Sequence, residues 1–305
     1  MVPLTDEEVR ELSTKANAIR QTIVEMLTAA GSGHTAGPLG MADIFTALYF
    51  NVLKHDPKNP DWAERDRLIL SNGHIVPVRY AAMAHAGYFP VEECLTLRKF
   101  GSRLQGHPER DMLPGMETTS GPLGSGLSQS SGYAYAARMD LIREPSASNG
   151  AGGKRSGDFR VYCVMSDGEH EEGNTWEAIL FAGKYRLANL VGIMDRNNIQ
   201  IDGDTENIMP LEPLRDKYEA FNWHVIEVDG HNIPQFIAAC DEAKAIREKP
   251  TLILAHTIPG KGIREIEGDY RWHGNPPGKG PTDKIPADKQ AEVFLNELRA
   301  TNQRQ

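Results

Sequence analysis

The spacing of apolar and polar residues divides the chain into predicted helices and strands. Thr5 and Glu8 form a capping-box pattern, and apolar residues at helical spacing follow, which predicts a long amphipathic helix. Residues 40–53 are apolar almost all round, which predicts a helix buried in the fold or at a subunit contact. The pattern also predicts helices over 75–86, 91–99, 127–142, 233–248 and 287–298, and strands at 67–70, 223–228 and 251–255.

The stretch 159–203 predicts a β-α-β unit. Two apolar runs, 159–165 and 190–194, have the length and composition of buried parallel strands. Helical spacing lies between them, with Asn174 or Thr175 placed to cap the first turn. The crossover of such a unit is right-handed in nearly all proteins, so both strands end at the edge of the sheet where ligands bind. The predicted fold class is α/β, with a parallel sheet and helices on both faces.

Polar residues follow both of these strands. Asp167 comes just after the first strand and Asn197 just after the second, and both offer the oxygen ligands that Mg²⁺ or Ca²⁺ prefers. One carboxylate and one amide make an incomplete set, which Mg²⁺ can complete with water and phosphate oxygens. The helix start at 173–176 offers backbone N–H groups to such an anion. We therefore expect a metal-bridged diphosphate, although Asp-Gly and Asn-Asn are also ordinary turn residues.

Composition excludes several classes of protein. The net charge of -9, without a basic stripe, argues against nonspecific binding to nucleic acid. The three cysteines are scattered and fit reduced thiols of a cytoplasmic protein. No segment resembles an export signal or a membrane span, so we expect no membrane association. Residues 144–158 have no apolar periodicity and are predicted to form a surface loop, to which we assign no role.

Four histidines stand beside a glycine in loops that follow predicted elements. These are His34, His74, His107 and His273. A single histidine of this kind is usually a hydrogen-bonded surface residue, and no pair has the spacing of a zinc site. Four together favour a polar pocket, in which imidazoles donate to hydroxyl or carbonyl oxygens and transfer protons.

These motifs resemble those of a known family. Asp167-Gly168, Glu172-Gly173 and Asn197, thirty positions after Asp167, are similar to the thiamine diphosphate signature. The glycine-histidine loops and the Gly-Pro-Leu-Gly sequence that begins at Gly121 resemble transketolase and occur in the order of that family. Ser166 departs from the pattern, since the family usually has glycine there, and the histidine loop at 34–36 and Arg79 also differ.

The resemblance implies a role for each matched residue. It implies that Asp167, Asn197 and the main-chain carbonyl of Ile199 hold Mg²⁺, for which Ca²⁺ can substitute. The histidines would serve the reaction, with His34, His107 and His273 near the substrate and His74 and His273 near the phosphates. The remaining positions implied for the cofactor are Gly168, Glu172, Asn197 and the run Gly121, Pro122 and Leu123, which would meet the aminopyrimidine ring.

The acidic residues after Asp167 are interpreted in two ways. Glu172 and Glu177 match family positions in a carboxylate network across the subunit interface, which gives Glu172 a catalytic role by resemblance. Glu169 and Glu171 are expected to form a solvated acidic turn.

The resemblance covers 13–273, which corresponds to the first half of a standard transketolase. We assign 1–280 to a thiamine diphosphate- and Mg²⁺-binding α/β domain and 281–305 to a tail with a short helix. The family's next domain supplies a glutamate that activates the cofactor and an aromatic ring that stacks on it. The resemblance therefore implies an N-terminal subunit of a split transketolase, in a heterotetramer with a C-terminal, pyrimidine-binding subunit, and the 40–53 helix is a candidate interface.

The implied reaction transfers a two-carbon ketol unit from a ketose phosphate to an aldose phosphate. Two alternatives stay open. The first is a half-enzyme for a related ketol transfer on another sugar. The second, from a different class, is a Mg²⁺-dependent phosphate-binding regulatory protein without catalysis.

Overall fold

The computed structural model describes residues 4–143 and 159–302. The predicted loop at 144–158 lies outside the described residues. The strands are β1 (Arg67–Leu70), β2 (Val161–Ser166), β3 (Leu190–Arg196), β4 (Ile199–Gln200), β5 (Gly203–Asp204), β6 (His224–Asp229) and β7 (Thr251–His256). The α-helices are α1 (Asp6–Ala30), α2 (Ala36–Gly40), α3 (Ala42–Ala47), α4 (Val76–His85), α5 (Ser125–Arg143), α6 (Gly173–Lys184), α7 (Thr205–Ile208), α8 (Leu214–Ala220), α9 (Ile233–Ala245) and α10 (Gln290–Asn302).

Five strands form one parallel sheet in the order β1-β2-β3-β7-β6. The predicted α/β class is therefore confirmed. Strands β2 and β3 are neighbours, with Ser166 opposite Asp195 at their carboxyl ends. The loops that carry Asp167 and Asn197 consequently leave the sheet side by side. A short antiparallel hairpin of β4 and β5 follows β3 and lies outside the main sheet.

Helices cover both faces of the sheet, because alternate strand residues point to opposite sides. Tyr162 and Val164 belong to one buried cluster, which contains apolar residues of α1, α3, α4 and α9. Val161 and Cys163 belong to the other, which contains residues of α5, α6 and α8. A sheet buried on both faces explains why β2 and β3 are apolar along almost their whole length.

The apolar segment at 40–53 is interrupted rather than a single helix. It comprises the end of α2, the helix α3 and a π-helical turn at Leu48–Val52. Phe45 is fully buried and Tyr49 is 6% exposed, both within the core of this chain. Most of the apolar surface of this segment is therefore covered by its own chain, while Phe50 and Leu53 are only partly buried, and its place at a subunit interface stays a prediction.

Three local predictions also need correction. Strand β3 continues through Arg196, two residues beyond the predicted end, so Asp195 lies inside the sheet. Helix α6 begins at Gly173, and neither Asn174 nor Thr175 caps it, because both already lie within the helix. The predicted helix at 91–99 is a 3₁₀ segment, Val91–Thr96.

The last helix packs into the same core as the first. Phe294 and Leu298 of α10 are buried in the cluster that contains α1, and Asn17 donates to the Leu298 carbonyl at 2.7 Å. The division of the chain at residue 280 stays a prediction.

Two expectations from composition can be compared with the structure. Cys94, Cys163 and Cys240 are all free and buried. Within 4–143 and 159–302, no helix has the length and apolar character needed to cross a membrane.

Candidate active site

The carboxyl ends of β1, β2 and β3 open into a cavity of about 420 Å³. Loops that lie far apart in the sequence surround it because parallel strands end at one edge. Most of the residues proposed from the sequence line this cavity: His34, His74, His107, Gly121, Leu123, Gly168, Glu172, Ile199 and His273. Asp167 and Asn197 lie buried behind its wall, and Pro122 is exposed outside the lining.

Three of the four histidines form a compact cluster. The ring centroids of His34 and His74 are 4.8 Å apart, those of His74 and His273 are 5.0 Å apart, and those of His34 and His273 are 5.4 Å apart. Burial lowers the pKa of His34 to about 3, and the nearby positive charges contribute. Burial also lowers the pKa of His74 and of His273. The cluster is therefore neutral near pH 7, so each ring presents one donor and one acceptor.

Close contacts hold the histidine loops together. A Cβ atom at Gly73 would come within 2.1 Å of the Ser120 hydroxyl and 3.1 Å of His107. Gly124 has a φ of +79°, and a Cβ atom there would come within 2.1 Å of Asn174 Oδ1. The loops that carry His74, His107 and Gly121 can approach each other only because glycine occupies these two positions.

The Asp167 carboxylate is fully buried at the floor of the site. Its Oδ1 atom accepts from the Gly168 N–H at 2.8 Å. Its Oδ2 atom accepts from Arg196 at 2.9 Å and from the Asn198 N–H at 2.7 Å. Burial raises the pKa of Asp167 to about 6, although Arg196 and these N–H groups oppose the rise. The two strand-end loops thus meet at this carboxylate, as expected from the parallel pairing.

Asn197 and Ile199 lie next to this carboxylate. The Asn197 Oδ1 atom accepts from the Ile199 N–H at 3.0 Å, and its Nδ2 atom donates to Asp195 at 2.9 Å. The Ile199 carbonyl oxygen is 3.9 Å from the position that a Cβ atom of Gly168 would take. One carboxylate oxygen, one amide oxygen and one carbonyl oxygen therefore lie on the adjoining loops.

This donor set fits a hard cation that completes its shell with other ligands. Among the described residues, no group of three or more His, Cys, Asp or Glu side chains is arranged to hold a metal. A cation would therefore be held by the single Asp167 carboxylate, the Asn197 and Ile199 oxygens, and further ligands from water or phosphate, as is usual for Mg²⁺.

Several buried polar atoms in the surrounding loops have no hydrogen-bond partner in the described parts of the chain. They are the His34 Nδ1 atom, both side-chain polar atoms of Asn72 and the Ser120 hydroxyl. A polar ligand would supply such partners, since unpaired buried polar groups are otherwise costly.

Glu169 and Glu171, which were predicted to form a solvated acidic turn, differ in how deeply they are buried. Glu169 is fully buried, and burial raises its pKa to about 8, so the prediction that it is solvated is wrong. Glu171 lies at the cavity rim, where burial and Glu172 raise its pKa. Glu172 is exposed at the start of α6, next to Glu171, and its part in a carboxylate network across a subunit interface stays a prediction.

Sequence reasoning missed two arginines at this site. Arg196 is 2% exposed and donates to Asp167, Thr205, Glu206 and Glu212, which ties the floor to α7 and to the loop that follows α7. Arg98 is exposed beside the mouth, and its charge contributes to the lowered pKa of His34 and of His107. Arg196 directly precedes Asn197 of the signature, and this adjacency was the one signal that could have identified it, whereas Arg98 lies in no recognisable motif and reaches the site only in the folded chain.

Arg79, noted as unusual in the sequence, is a buried structural residue. It is 1% exposed, and its guanidinium donates to Glu117 at 2.6 Å and to the Tyr49 hydroxyl at 3.3 Å. Glu117 also accepts from Arg65. This network fixes the start of the loop that carries Gly121.

Comparison with known proteins agrees with this geometry. Residues 12–291 match the family described as the transketolase, thiamine diphosphate binding domain. The chain belongs to the transketolase family. It is similar to rat transketolase, with 36% identity over 94% of this chain and 43% of that protein. The structure of transketolase from Leishmania mexicana superposes with a TM-score of 0.81 at 33% identity, covering 96% of this chain and 46% of that one.

Shorter members of the transketolase family match in extent as well. The 6-deoxy-6-sulfo-D-fructose transketolase subunit SqwG of Clostridium sp. (strain MSTE9) is 42% identical, over 88% of this chain and 92% of that protein. One of the subunits of the apulose-4-phosphate transketolase of Phocaeicola vulgatus is 38% identical, over 88% of this chain and 90% of that protein. The chain is therefore homologous to these transketolase subunits over nearly their whole length. It spans less than half the length of the long transketolases named above.

Proposed function

We propose that this chain is the N-terminal subunit of a two-chain transketolase. With a C-terminal subunit that carries the pyrimidine-binding domain, it would transfer a two-carbon ketol unit from a ketose phosphate to an aldose phosphate. The observation that carries the proposal is the convergence of His34, His74 and His273 with the loops of Gly168 and Ile199 in one cavity. The similarity to subunits of nearly the same extent supports a requirement for a partner.

The cofactor in this proposal is thiamine diphosphate with Mg²⁺, or with Ca²⁺ in its place. When bound, thiamine diphosphate supplies a nucleophilic carbon and an electron sink for breaking and forming a carbon–carbon bond. Asp167, Asn197 and the Ile199 carbonyl would hold the cation. The remaining cofactor contacts would come from His74, His273, Gly168, Glu172 and the run Gly121, Pro122 and Leu123.

The histidine cluster would orient the sugar and transfer its protons. Neutral imidazoles of His34, His107 and His273 can donate to a hydroxyl or to a developing alkoxide, and can accept a proton in the reverse direction. The Arg98 charge beside His34 and His107 would favour a substrate with an anionic end. The cluster is partly buried, and the lower dielectric there would strengthen these hydrogen bonds.

The exposed face of α6 would form a subunit contact. Leu180 is 56% exposed and Phe181 is 37% exposed on the helix that begins beside Glu172 and also presents Glu177. An exposed apolar pair beside two carboxylates would suit an interface in a heterotetramer, where Glu172 would take part in the catalytic carboxylate network. We also propose a cytoplasmic location, which is consistent with the three free, buried thiols.

The test is to measure ketol transfer by the chain with and without a candidate C-terminal subunit. Activity should require both chains, thiamine diphosphate and a divalent cation. Full activity of this chain alone would contradict the two-subunit proposal. Cation-dependent phosphate binding without ketol transfer by the assembled complex would instead favour a regulatory protein.

The substrate could be another sugar within the same reaction class. The two subunit relatives are named for 6-deoxy-6-sulfo-D-fructose and for apulose 4-phosphate, which differ in skeleton and in anionic group. The assay should therefore compare ketose phosphates with sulfonated and branched sugars. A preference for one of these would identify a related ketol transfer, whereas a preference for simple sugar phosphates would support the first proposal.

A further inference from the structure

A second cavity lies at the opposite edge of the sheet from the histidine cluster. Its volume is about 970 Å³, and residues that immediately precede β1, β2 and β3 line it. In a parallel sheet these amino-terminal ends lie at the edge away from the carboxyl ends. This basal cavity is therefore separate from the candidate active site.

Cations dominate the lining of the basal cavity. Six basic side chains and two carboxylates, Asp66 and Glu248, contribute to it, a surplus of four positive charges. The chain as a whole has a net charge of -9, so this concentration runs against the overall balance. A concave site lined by one sign of charge focuses the potential and attracts the opposite charge. The six basic residues are Lys54, Arg138, Arg160, Arg186, Lys244 and Arg247.

The basic residues differ in how much of their hydrogen-bonding capacity is used. The Lys54 amine donates to the Glu64 carbonyl at 2.6 Å, and the Lys244 amine pairs with Asp241 at 3.0 Å. By contrast, the side chains of Arg186 and Arg247 make no hydrogen bond or ion pair with any residue in the described ranges. Two guanidinium groups in this lining are therefore available to a ligand.

Neither carboxylate of the lining pairs with these arginines. Glu248 forms no hydrogen bond or ion pair with any residue in the described ranges. Both oxygens of Asp66 are already engaged, since they accept from the backbone N–H groups of Lys54 and Arg160 at 2.9 Å. The sequence of 144–158, which lies outside the described residues, contains two acidic and two basic residues and so brings no net negative charge.

We propose that the basal cavity binds a small multivalent oxyanion of the class of phosphorylated metabolites. Guanidinium groups match the geometry of phosphate oxygens and form charge-assisted pairs with them. The volume is within the range of small-molecule sites. The ligand would stabilise the folded chain by mass action, and it would do so without entering the cavity at the carboxyl edge.

The test is calorimetric titration of the metal-free, full-length chain with inorganic tripolyphosphate. The variant Arg186→Asn/Arg247→Gln should bind about tenfold more weakly than the wild type, because it loses both available guanidinium groups. Asparagine is chosen at position 186 because it tolerates the left-handed backbone there, where φ is +50°. Arg247→Gln alone should weaken binding in the same direction and guards against a folding defect.

Two controls identify the place of binding. Lys58→Gln/Arg264→Gln removes the same charge from exposed positions outside the basal cavity and should bind within about twofold of the wild type. His273→Asn, at the carboxyl edge, should also bind normally. Any of three results would overturn the proposal. Tripolyphosphate could fail to show saturable binding, or the two double variants could weaken its binding equally. In the third, His273→Asn would weaken binding while the arginine variants would not. None of these results depends on ketol transfer.

Discussion

The Nδ1 atom of His231 lies 2.8 Å from the Asp43 Oδ2 atom, while its Nε2 atom accepts the Ile258 backbone N–H at 2.8 Å. The Nε2 atom is therefore the acceptor of the ring, and the Nδ1 atom donates to Asp43. Burial raises the pKa of Asp43, but Arg20 and His231 together hold it down to about 2. His231 thus links the Arg20–Asp43 ion pair, which lies in the helical layer, to the loop that follows β7.

Replacing His231 by phenylalanine should destabilise the chain. The variant keeps the ring but loses both hydrogen bonds, so we expect the free energy of unfolding to fall by roughly 1–3 kcal/mol in urea titrations. His224→Phe is the matched control. The Glu242 side chain, which pairs with His224, is 54% exposed, whereas the Asp43 side chain is 10% exposed. His224→Phe should therefore lower the free energy of unfolding by less than about 1 kcal/mol. An equal decrease in the free energy of unfolding in the two variants would contradict the view that His231 holds the loop after β7 in place.

The histidine cluster predicts a specific dependence of stability on pH. His34 has a pKa of about 3 in the folded chain, below its ordinary value of 6.5. The unfolded chain therefore binds more protons between these values, so the free energy of unfolding is undiminished above pH 6.5 and falls as the pH drops towards 3.

His34→Asn should make this dependence shallower. The slope between pH 6 and 4, measured by urea unfolding of the metal-free chain, should decrease by up to about 1.4 kcal/mol per pH unit. His74, His107 and His273, whose pKa values are also lowered, should preserve part of the slope. An unchanged slope in the variant would show that His34 ionises normally in the folded chain.

Asp167→Asn should abolish stabilisation by thiamine diphosphate and Mg²⁺. In the complex with the partner subunit, ligands at a hundred times their dissociation constant should stabilise the wild type by about 2.7 kcal/mol, measured as a shift in thermal midpoint. The variant should lose most of this shift because it lacks the ionised oxygen. Asp204→Asn removes an exposed carboxylate on β5 and is the control for charge. A normal shift in Asp167→Asn would remove the metal assignment.

The buried charges of Arg79 and Glu117 should be strongly coupled. Arg79→Met leaves Glu117, which is 4% exposed, with Arg65 as its remaining guanidinium partner, so unfolding should become easier by roughly 3–5 kcal/mol. The double variant Arg79→Met/Glu117→Met should cost less than the sum of the two single variants. Additive losses in urea unfolding would mean that the pair contributes no interaction energy.

The exposed face of α6 predicts an assembly defect. Leu180→Arg should weaken association with other subunits without loss of fold, because a charge at a desolvated contact cannot be paired. Sedimentation velocity of the mixed subunits would measure the change. Leu95→Arg is a suitable control, since Leu95 is 47% exposed against 56% for Leu180 but lies in the 3₁₀ segment. Assembly that is equally normal in both variants would exclude this face as an interface.

Much of the fold followed from the sequence alone, because helix and strand patterns depend on neighbouring residues. The β-α-β unit, the parallel sheet and the glycine-histidine loops were all predicted in this way. Parallel strands also end at one edge, so the meeting of the Asp167 and Asn197 loops could be expected from the order of the strands.

Contacts between distant residues were decided only by the tertiary structure. Hydrophobic periodicity could not distinguish an internal helix from a subunit contact at 40–53, since both require apolar surface. The burial of Glu169 and the pairing of Arg196 with Asp167 depend on how loops from separate strands pack, which no local pattern records. The basal cavity arises in the same way, because strand starts far apart in the chain collect their basic residues only when the sheet forms.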